Sequence, residues 1–269
     1  SDGMWYHYAR LIDDDKLVGS GLLNNLDLTE NGSNQVGVVF VGDTGWLFIN
    51  NSLVTDLDLS DVTGAGDIRA VTGVYGETHM RSGFATNFGA FQIVRPSLIM
   101  KKKSGTLVKK ETSTSGWGTT KKLANSYSTA TIKVPYDPPT TWNIGFDFRR
   151  DDGQGEVLID SRPVGSGTEY WWRLKHHPNL ANSASSIITG GFLSNLIVSA
   201  GGSNKLSLMV IDDVGVFYLN DQKVSELDLT SISETGIVGI VTYLFSGKGW
   251  APLGTVTEFE DFNVWSLGD

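Results

Sequence analysis

A chain of 269 residues with 30 acidic and 21 basic side chains, for a formal net charge of −9, lacks the clustered cationic surface that phosphate-backbone binding demands, which excludes nucleic acid as a general partner. No apolar run approaches the roughly 20 residues a helix needs to span a bilayer, and no cysteine is present to form a disulfide or a thiolate metal site. Hydrophobic content of 40% together with 32 glycines fits a packed, turn-rich β protein rather than a disordered one.

Taken from the N-terminus, the first element is a short aromatic strand at Trp5-Tyr6-His7-Tyr8. Asp13, Asp14 and Asp15 follow, a carboxylate cluster that suits a turn or a hard cation such as calcium. Val39-Phe40-Val41 and Leu47-Phe48-Ile49 flank Asp43-Thr44-Gly45, where Asp and Gly supply the turn bond and the positive φ of a tight hairpin. Asn50-Asn51 turns the chain again, since asparagine tolerates the left-handed region. Leu57-Asp58-Leu59 places two leucines on one face and a carboxylate on the other, the pattern of a half-buried strand. The cationic run Lys101, Lys102, Lys103, Lys109, Lys110, Lys121 and Lys122 lies in Ser/Thr/Gly-rich sequence and reads as a solvated edge or connection, with strand-like pieces at 105–109 and 129–134. Trp142-Asn143-Ile144-Gly145-Phe146-Asp147-Phe148-Arg149 alternates cleanly, and 156–160 and 170–175 continue as strands. Helical spacing of apolar residues is sustained nowhere.

Self-comparison supplies the strongest signal. Asn34, Asp43, Gly45, Asn50, Val54, Leu57, Asp58 and Leu59 recur without a gap 170 residues later as Asn204, Asp213, Gly215, Asn220, Val224, Leu227, Asp228 and Leu229. Gly21-Leu22-Leu23-Asn24-Asn25-Leu26 faces Gly191-Phe192-Leu193-Ser194-Asn195-Leu196, and Phe88-Gly89-Ala90-Phe91 meets Phe259-Glu260-Asp261-Phe262 after a one-residue slip. Trp5-Tyr6-His7-Tyr8 aligns with Trp171-Trp172-Arg173-Leu174, which leaves the first copy without partners for the strands at 142–149 and 156–160. The expected architecture is all-β: two tandem jelly-roll-like antiparallel sandwiches, a first unit over 1–97 lacking N-terminal strands, a connecting segment with strands over 98–139, and a second unit over 140–269. A sandwich short of strands leaves an apolar face and an unpaired edge that must be covered. The expected source is the connecting segment; a shortened N-terminus or a strand from another subunit, giving a homo-oligomer through that edge, are the other readings.

The Trp-Asn-Ile-Gly-Phe-Asp-Phe-Arg opening, the Val-Phe-Tyr-Leu-Asn-Asp hairpin at 216–221 and the closing Phe-Glu-Asp-Phe-Asn-Val-Trp strand at 259–265 resemble the concanavalin A-like, laminin-G-like jelly-roll superfamily, above all its bacterial appended modules. That resemblance implies a secreted or cell-surface setting with glycan or protein ligands. The superfamily also holds hydrolases and structural domains, so function has to be argued from the site.

The leading expectation is a non-catalytic extracellular or surface binding and adhesion module acting through loops and exposed aromatics, because flat rings bring large rigid contact area at low entropy cost. Trp250 in Ser246-Gly247-Lys248-Gly249-Trp250-Ala251-Pro252, Trp117 in Ser115-Gly116-Trp117-Gly118, and Trp172, one of an adjacent pair that must face opposite ways, are the candidate ligand-binding residues. The first alternative is a structural subunit of an extracellular assembly or filament with strand exchange. The second is a glycoside hydrolase using Glu258 and Glu260, which would share a strand face about 7 Å apart; the first copy has Asn87 and Gly89 there, and the superfamily's Glu-x-Asp-x-x-Glu spacing is not met. His7, His79, His176 and His177 lack the spacing of a zinc site. No phosphate loop, nucleophile elbow or dinucleotide fingerprint is present. No cofactor is expected, apart from calcium at Asp13, Asp14 and Asp15.

Overall fold

Short apolar-alternating segments punctuated by Gly, Asn and Asp leave the backbone one economical way to pair its polar groups, which is antiparallel strands joined by tight turns. The structure, a computed structural model, describes residues 3–10, 15–29, 32–62, 68–70, 89–93, 96–108, 115–134, 143–150, 155–160, 170–176, 186–232, 235–242 and 256–268. The chain is all-β, with several antiparallel sheets, and among the described residues there is no helix long and apolar enough to cross a membrane. It divides into two compact units, Ser1–Arg95 and Pro96–Asp269.

The first unit contains β1 (Gly3–Arg10) and β2 (Asp15–Leu23), which form a hairpin, and β3 (Val36–Val41), β4 (Thr44–Ile49) and β5 (Ser52–Asp58), which form a three-stranded meander. The second continues with β6 (Ser97–Val108), β7 (Ser115–Gly118), β8 (Ser126–Lys133), β9 (Asn143–Arg150), β10 (Gly155–Asp160) and β11 (Tyr170–His176). It closes with β12 (Ser186–Leu193), β13 (Ser203–Ile211), β14 (Val214–Leu219), β15 (Gln222–Asp228), β16 (Ile237–Thr242) and β17 (Val256–Ser266). These twelve strands make two six-stranded sheets, in the orders β12-β11-β10-β9-β16-β7 and β15-β14-β13-β8-β17-β6.

The two sheets of the second unit enclose one core. From the first sheet Ile144, Phe146 and Phe148 of β9 and Trp172 and Leu174 of β11 point inward; from the second, Leu206, Leu208 and Val210 of β13, Phe217 of β14 and Phe259 and Phe262 of β17 meet them. Ring centroids of Phe146 and Phe262 lie 6.5 Å apart and those of Trp172 and Phe217 6.1 Å apart, so aromatic pairs bridge the layers. Each such side chain taken from water contributes about 1.5–3 kcal/mol. Arg149 at the end of β9 is buried with φ 46°, and its guanidinium donates to the carbonyls of Ala124, Ile232 and Asp212. Burial pushes its pKa down, opposed by the nearby carboxylates of Asp213 and Asp212. Nothing in the alternating pattern of 142–149 signals this inward cation.

The connecting segment behaves differently from expectation. Its strands belong to the second unit: β6 pairs β17, β7 pairs β16, and β8 pairs both β13 and β17. The second unit therefore starts at 96 rather than 140, because without β8 its sheet would split between β13 and β17. The first unit draws no completing strand from 98–139 among the described residues.

Residues 15–62 and 186–232 share local detail. Asn50 and Asn51 have φ of 52° and 61°, and Asn220 and Asp221 have the same two values. Bulges interrupt the β4–β5 pairing after Leu47 and the β14–β15 pairing after Phe217. Asn204 Oδ1 accepts from the Ile197 amide at 2.9 Å and from Asn220 Nδ2 at 3.1 Å, and its Nδ2 donates to the Ile197 carbonyl at 2.7 Å. Asn34 makes the same bonds with the Asp27 amide at 2.7 Å, Asn50 Nδ2 at 3.0 Å and the Asp27 carbonyl at 2.9 Å. The glycines of the first hairpin act differently from the sequence expectation: Gly42 and Asp212 supply the positive φ, at 60° and 46°. Gly45 and Gly215 lie within strands, where an added Cβ would meet Leu57 and Leu59, or Leu227 and Leu229, at 3.1–3.2 Å.

Candidate functional site

Parity along β11 decides which side of the sheet each residue serves. Tyr170, Trp172 and Leu174 point to the core and are buried, leaving Trp171, Arg173 and Lys175 on the outer face. The Trp172 ring fits because its cross-strand partner is Gly191, whose missing Cβ would lie 3.1 Å from Trp172 Nε1. On the outer face Trp171 pairs with Phe192 of β12, the ring centroids 4.2 Å apart and tilted by 47°. Phe192 and Ile187 of this edge strand are exposed, Trp171 and Arg173 half-buried. Trp171 Nε1 is shielded from solvent and has no acceptor.

Register carries this face across the sheet, from Lys175 through Glu156 to Asp147 and Gly239, and from Arg173 through Leu158 to Gly145 and Val241. Lys175, Asp147 and Val241 are buried, so solvent reaches the face at the β11–β12 edge. The arrangement there is an apolar, largely aromatic strip with an unused indole N–H inside it and a guanidinium beside it. Such a surface can stack the C–H face of a pyranose ring and donate to its hydroxyls.

The first unit has the same construction on β1–β2. Trp5 pairs with Gly21, as Trp172 pairs with Gly191, and the register shifts after His7 as it does after Leu174. Trp5 thus corresponds to Trp172, one residue away from the alignment expected from sequence. Its outer face exposes Met4, Tyr6, Tyr8, Leu17 and Leu22, with the Tyr6 and Tyr8 rings stacked at 6.1 Å and 24°. By contrast, the aromatic pair on the outside of the second sheet, Tyr127 and Trp265 at 5.4 Å, includes a buried tyrosine and is packing rather than open surface.

The residues singled out from sequence fall in several places. Trp172 is core, a correction forced by parity with Leu174, and the outward member of its pair is Trp171. Trp250 lies outside the described residues, as do Asp13 and Asp14; Asp15 begins β2 opposite Arg10. Trp117 sits in β7 opposite Ile240 rather than in a loop. Among the described residues no group of three or more His, Asp or Glu side chains could hold a metal ion. On β17 Glu258 is exposed and Glu260 half-buried, and both bind Lys133 Nζ, at 3.3 and 2.8 Å. The hydrogen bonds that Lys133 donates to Glu260 and then to Glu258, together with the charge of those carboxylates, hold Lys133 above its ordinary pKa.

No family model matches the chain, and neither does any curated protein. Solved structures do. A carbohydrate-binding module, CBM66 from Bacillus subtilis, is 12% identical over 64% of this chain and 95% of its own, with a TM-score of 0.41. A Bacteroides ovatus GH16 protein of a mixed-linkage glucan utilisation locus, in complex with a product, is 12% identical over 64% of this chain and 84% of its own, with a TM-score of 0.42. LamAcat from Zobellia galactanivorans is 13% identical over 61% and 76%, with a TM-score of 0.43. These neighbours are jelly-roll sandwiches and include both binding modules and hydrolases; at such scores they assign no role to any residue.

Proposed function

We propose that the protein is a non-catalytic, secreted or cell-surface glycan-binding protein, whose main binding surface is the outer face of the β11–β12 hairpin. The observation that carries this reading is the outward Trp171–Phe192 pair with its unpartnered indole N–H. A shielded N–H without an acceptor costs about 1–3 kcal/mol, a cost that a ligand hydroxyl would relieve by displacing the side chains that shield it. The exposed Tyr6, Tyr8 and Met4 on β1–β2 form a second platform at the corresponding place, in keeping with two versions of one module, and two weak sites on one chain reinforce each other on a polymeric ligand. Glu258 and Glu260 are both engaged by Lys133 Nζ, a surface ion-pair use of the two carboxylates that is in keeping with the non-catalytic reading.

Affinity gel electrophoresis on a panel of soluble β-glucans, galactans, fructans and mannans tests the reading. Retardation by at least one polysaccharide, weakened tenfold or more by Trp171→Ala and unchanged by Trp250→Ala, is the expected result. Loss through Trp250→Ala alone would move the site to the 246–252 loop and overturn the assignment.

A further inference from the structure

Among the described residues β1 pairs only β2, and β3 only β4, so each leaves one edge unpaired. In the second unit the strands at the same places, β11 and β13, are each paired on that second side, β11 by β10 and β13 by β8. Burial follows the pairing. Leu206, Leu208 and Val210 of β13 are 0%, 1% and 0% exposed, whereas Val36, Val38 and Phe40 of β3 are 65%, 46% and 41% exposed. Phe262 and Val264 of β17 are both 0% exposed; Phe91 and Ile93, their counterparts in sequence, are each 56% exposed and belong to no strand. An apolar sheet face beside a bare edge is what folded proteins cover.

What covers that face in the second unit is specific. It is one continuous stretch, β6 to β10, linked to β11 through residues 161–169. Its β8 sets Ser128 and Ala130 opposite Leu208 and Leu206, so small side chains meet large ones where β8 joins β13 in the middle of the sheet. A second copy of this chain cannot provide such a stretch to spare. Each chain has two halves that accept one and a single stretch of the kind, already held by its own β11, β13, β16 and β17.

We infer that residues 1–95 are an acceptor half-module, completed by a five-strand segment of the 97–160 type, with β1 and β3 binding the last and middle strands of that segment as β11 and β13 do in the second unit. A short covalent link is the arrangement the second unit shows, where the donor's last strand runs antiparallel beside β11 and reaches it through 161–169.

The test fuses a second copy of residues 96–169 ahead of Ser1 and compares its amide hydrogen exchange with that of the 269-residue chain. Amides of β1 and β3 are expected to slow at least tenfold in the fusion and to approach those of β11 and β13. A fusion whose added copy carries Ala130→Asp and Ile132→Asp is expected to restore fast exchange in β3. Unchanged β1 and β3 exchange in the unaltered fusion would overturn the inference. So would β3 amides already as protected as those of β13 in the 269-residue chain, or protection that grows with its concentration alongside dimer in sedimentation, which would assign the edge to a second copy.

Discussion

Replacing Asn204 with alanine removes a side chain that is fully buried and makes three hydrogen bonds, to the Ile197 amide, the Ile197 carbonyl and Asn220 Nδ2. At about 1 kcal/mol net for each, the expected loss is about 3 kcal/mol. With a urea slope of about 2 kcal/mol/M, the midpoint of the second unit falls by about 1.5 M with the slope unchanged. Asn34→Ala breaks the same three bonds at an exposed position where water replaces them, so its cost is about 1 kcal/mol or less. Asn204→Asp keeps the acceptors but buries a carboxylate against the Ile197 carbonyl. It should therefore destabilise at neutral pH and recover on acidification, when the protonated acid again offers a donor. Urea titration followed by near-ultraviolet circular dichroism measures all three. A shift for Asn204→Ala no larger than that for Asn34→Ala would refute the reasoning, since burial is the only difference invoked.

Arg149→Ala leaves three carbonyls without their shared donor, and a loss of about 3–5 kcal/mol is expected from thermal or urea unfolding, with Arg149→Lys recovering only part because one ammonium cannot span the fork. Asp228 is held below its ordinary pKa of 3.8 by hydrogen bonds from the Thr230 amide and hydroxyl. Around that pKa the unfolded chain therefore binds more protons than the native one. The contribution is complete above about pH 4 and is lost as pH falls through the lowered folded value, so Asp228→Asn should flatten the dependence of stability on pH below about 4. Glu258→Gln and Glu260→Gln should leave polysaccharide retention unchanged, and the unaltered chain should release no reducing sugar from β-glucans. Hydrolysis abolished by either substitution would contradict the non-catalytic reading.

Strand positions and turn chemistry were largely legible because they depend on near neighbours. Asn50 and Asn220 declare a left-handed turn, and Ile144, Phe146 and Phe148 declare an inward face. The choice between Trp171 and Trp172 is legible too: parity with Leu174 and with the polar Arg173 and Lys175 turns Trp171 outward and Trp172 inward. The destination of 98–139 was not. β8 reads Ser-Tyr-Ser-Thr-Ala-Thr-Ile-Lys, a strand by composition, but its small residues say nothing about which sheet has room for them. That is fixed by distant Leu206 and Leu208. Arg149 was hidden for a related reason: its partners are backbone carbonyls at 124, 212 and 232, which carry no side-chain signature. Gly45 and Gly215 follow Asp and so resemble turn residues in sequence, whereas in the strands they leave room for Leu57 and Leu59, or Leu227 and Leu229.

The claim that the outer β11–β12 face holds the ligand is tested most directly by the indole N–H resonances, followed by NMR while titrating an oligosaccharide from the retained polysaccharide. The Trp171 signal should shift and broaden as its Nε1–H gains an acceptor, while Trp172, enclosed in the core, stays fixed. Saturation with the Trp171 signal unmoved and perturbations confined to other surfaces would contradict the account.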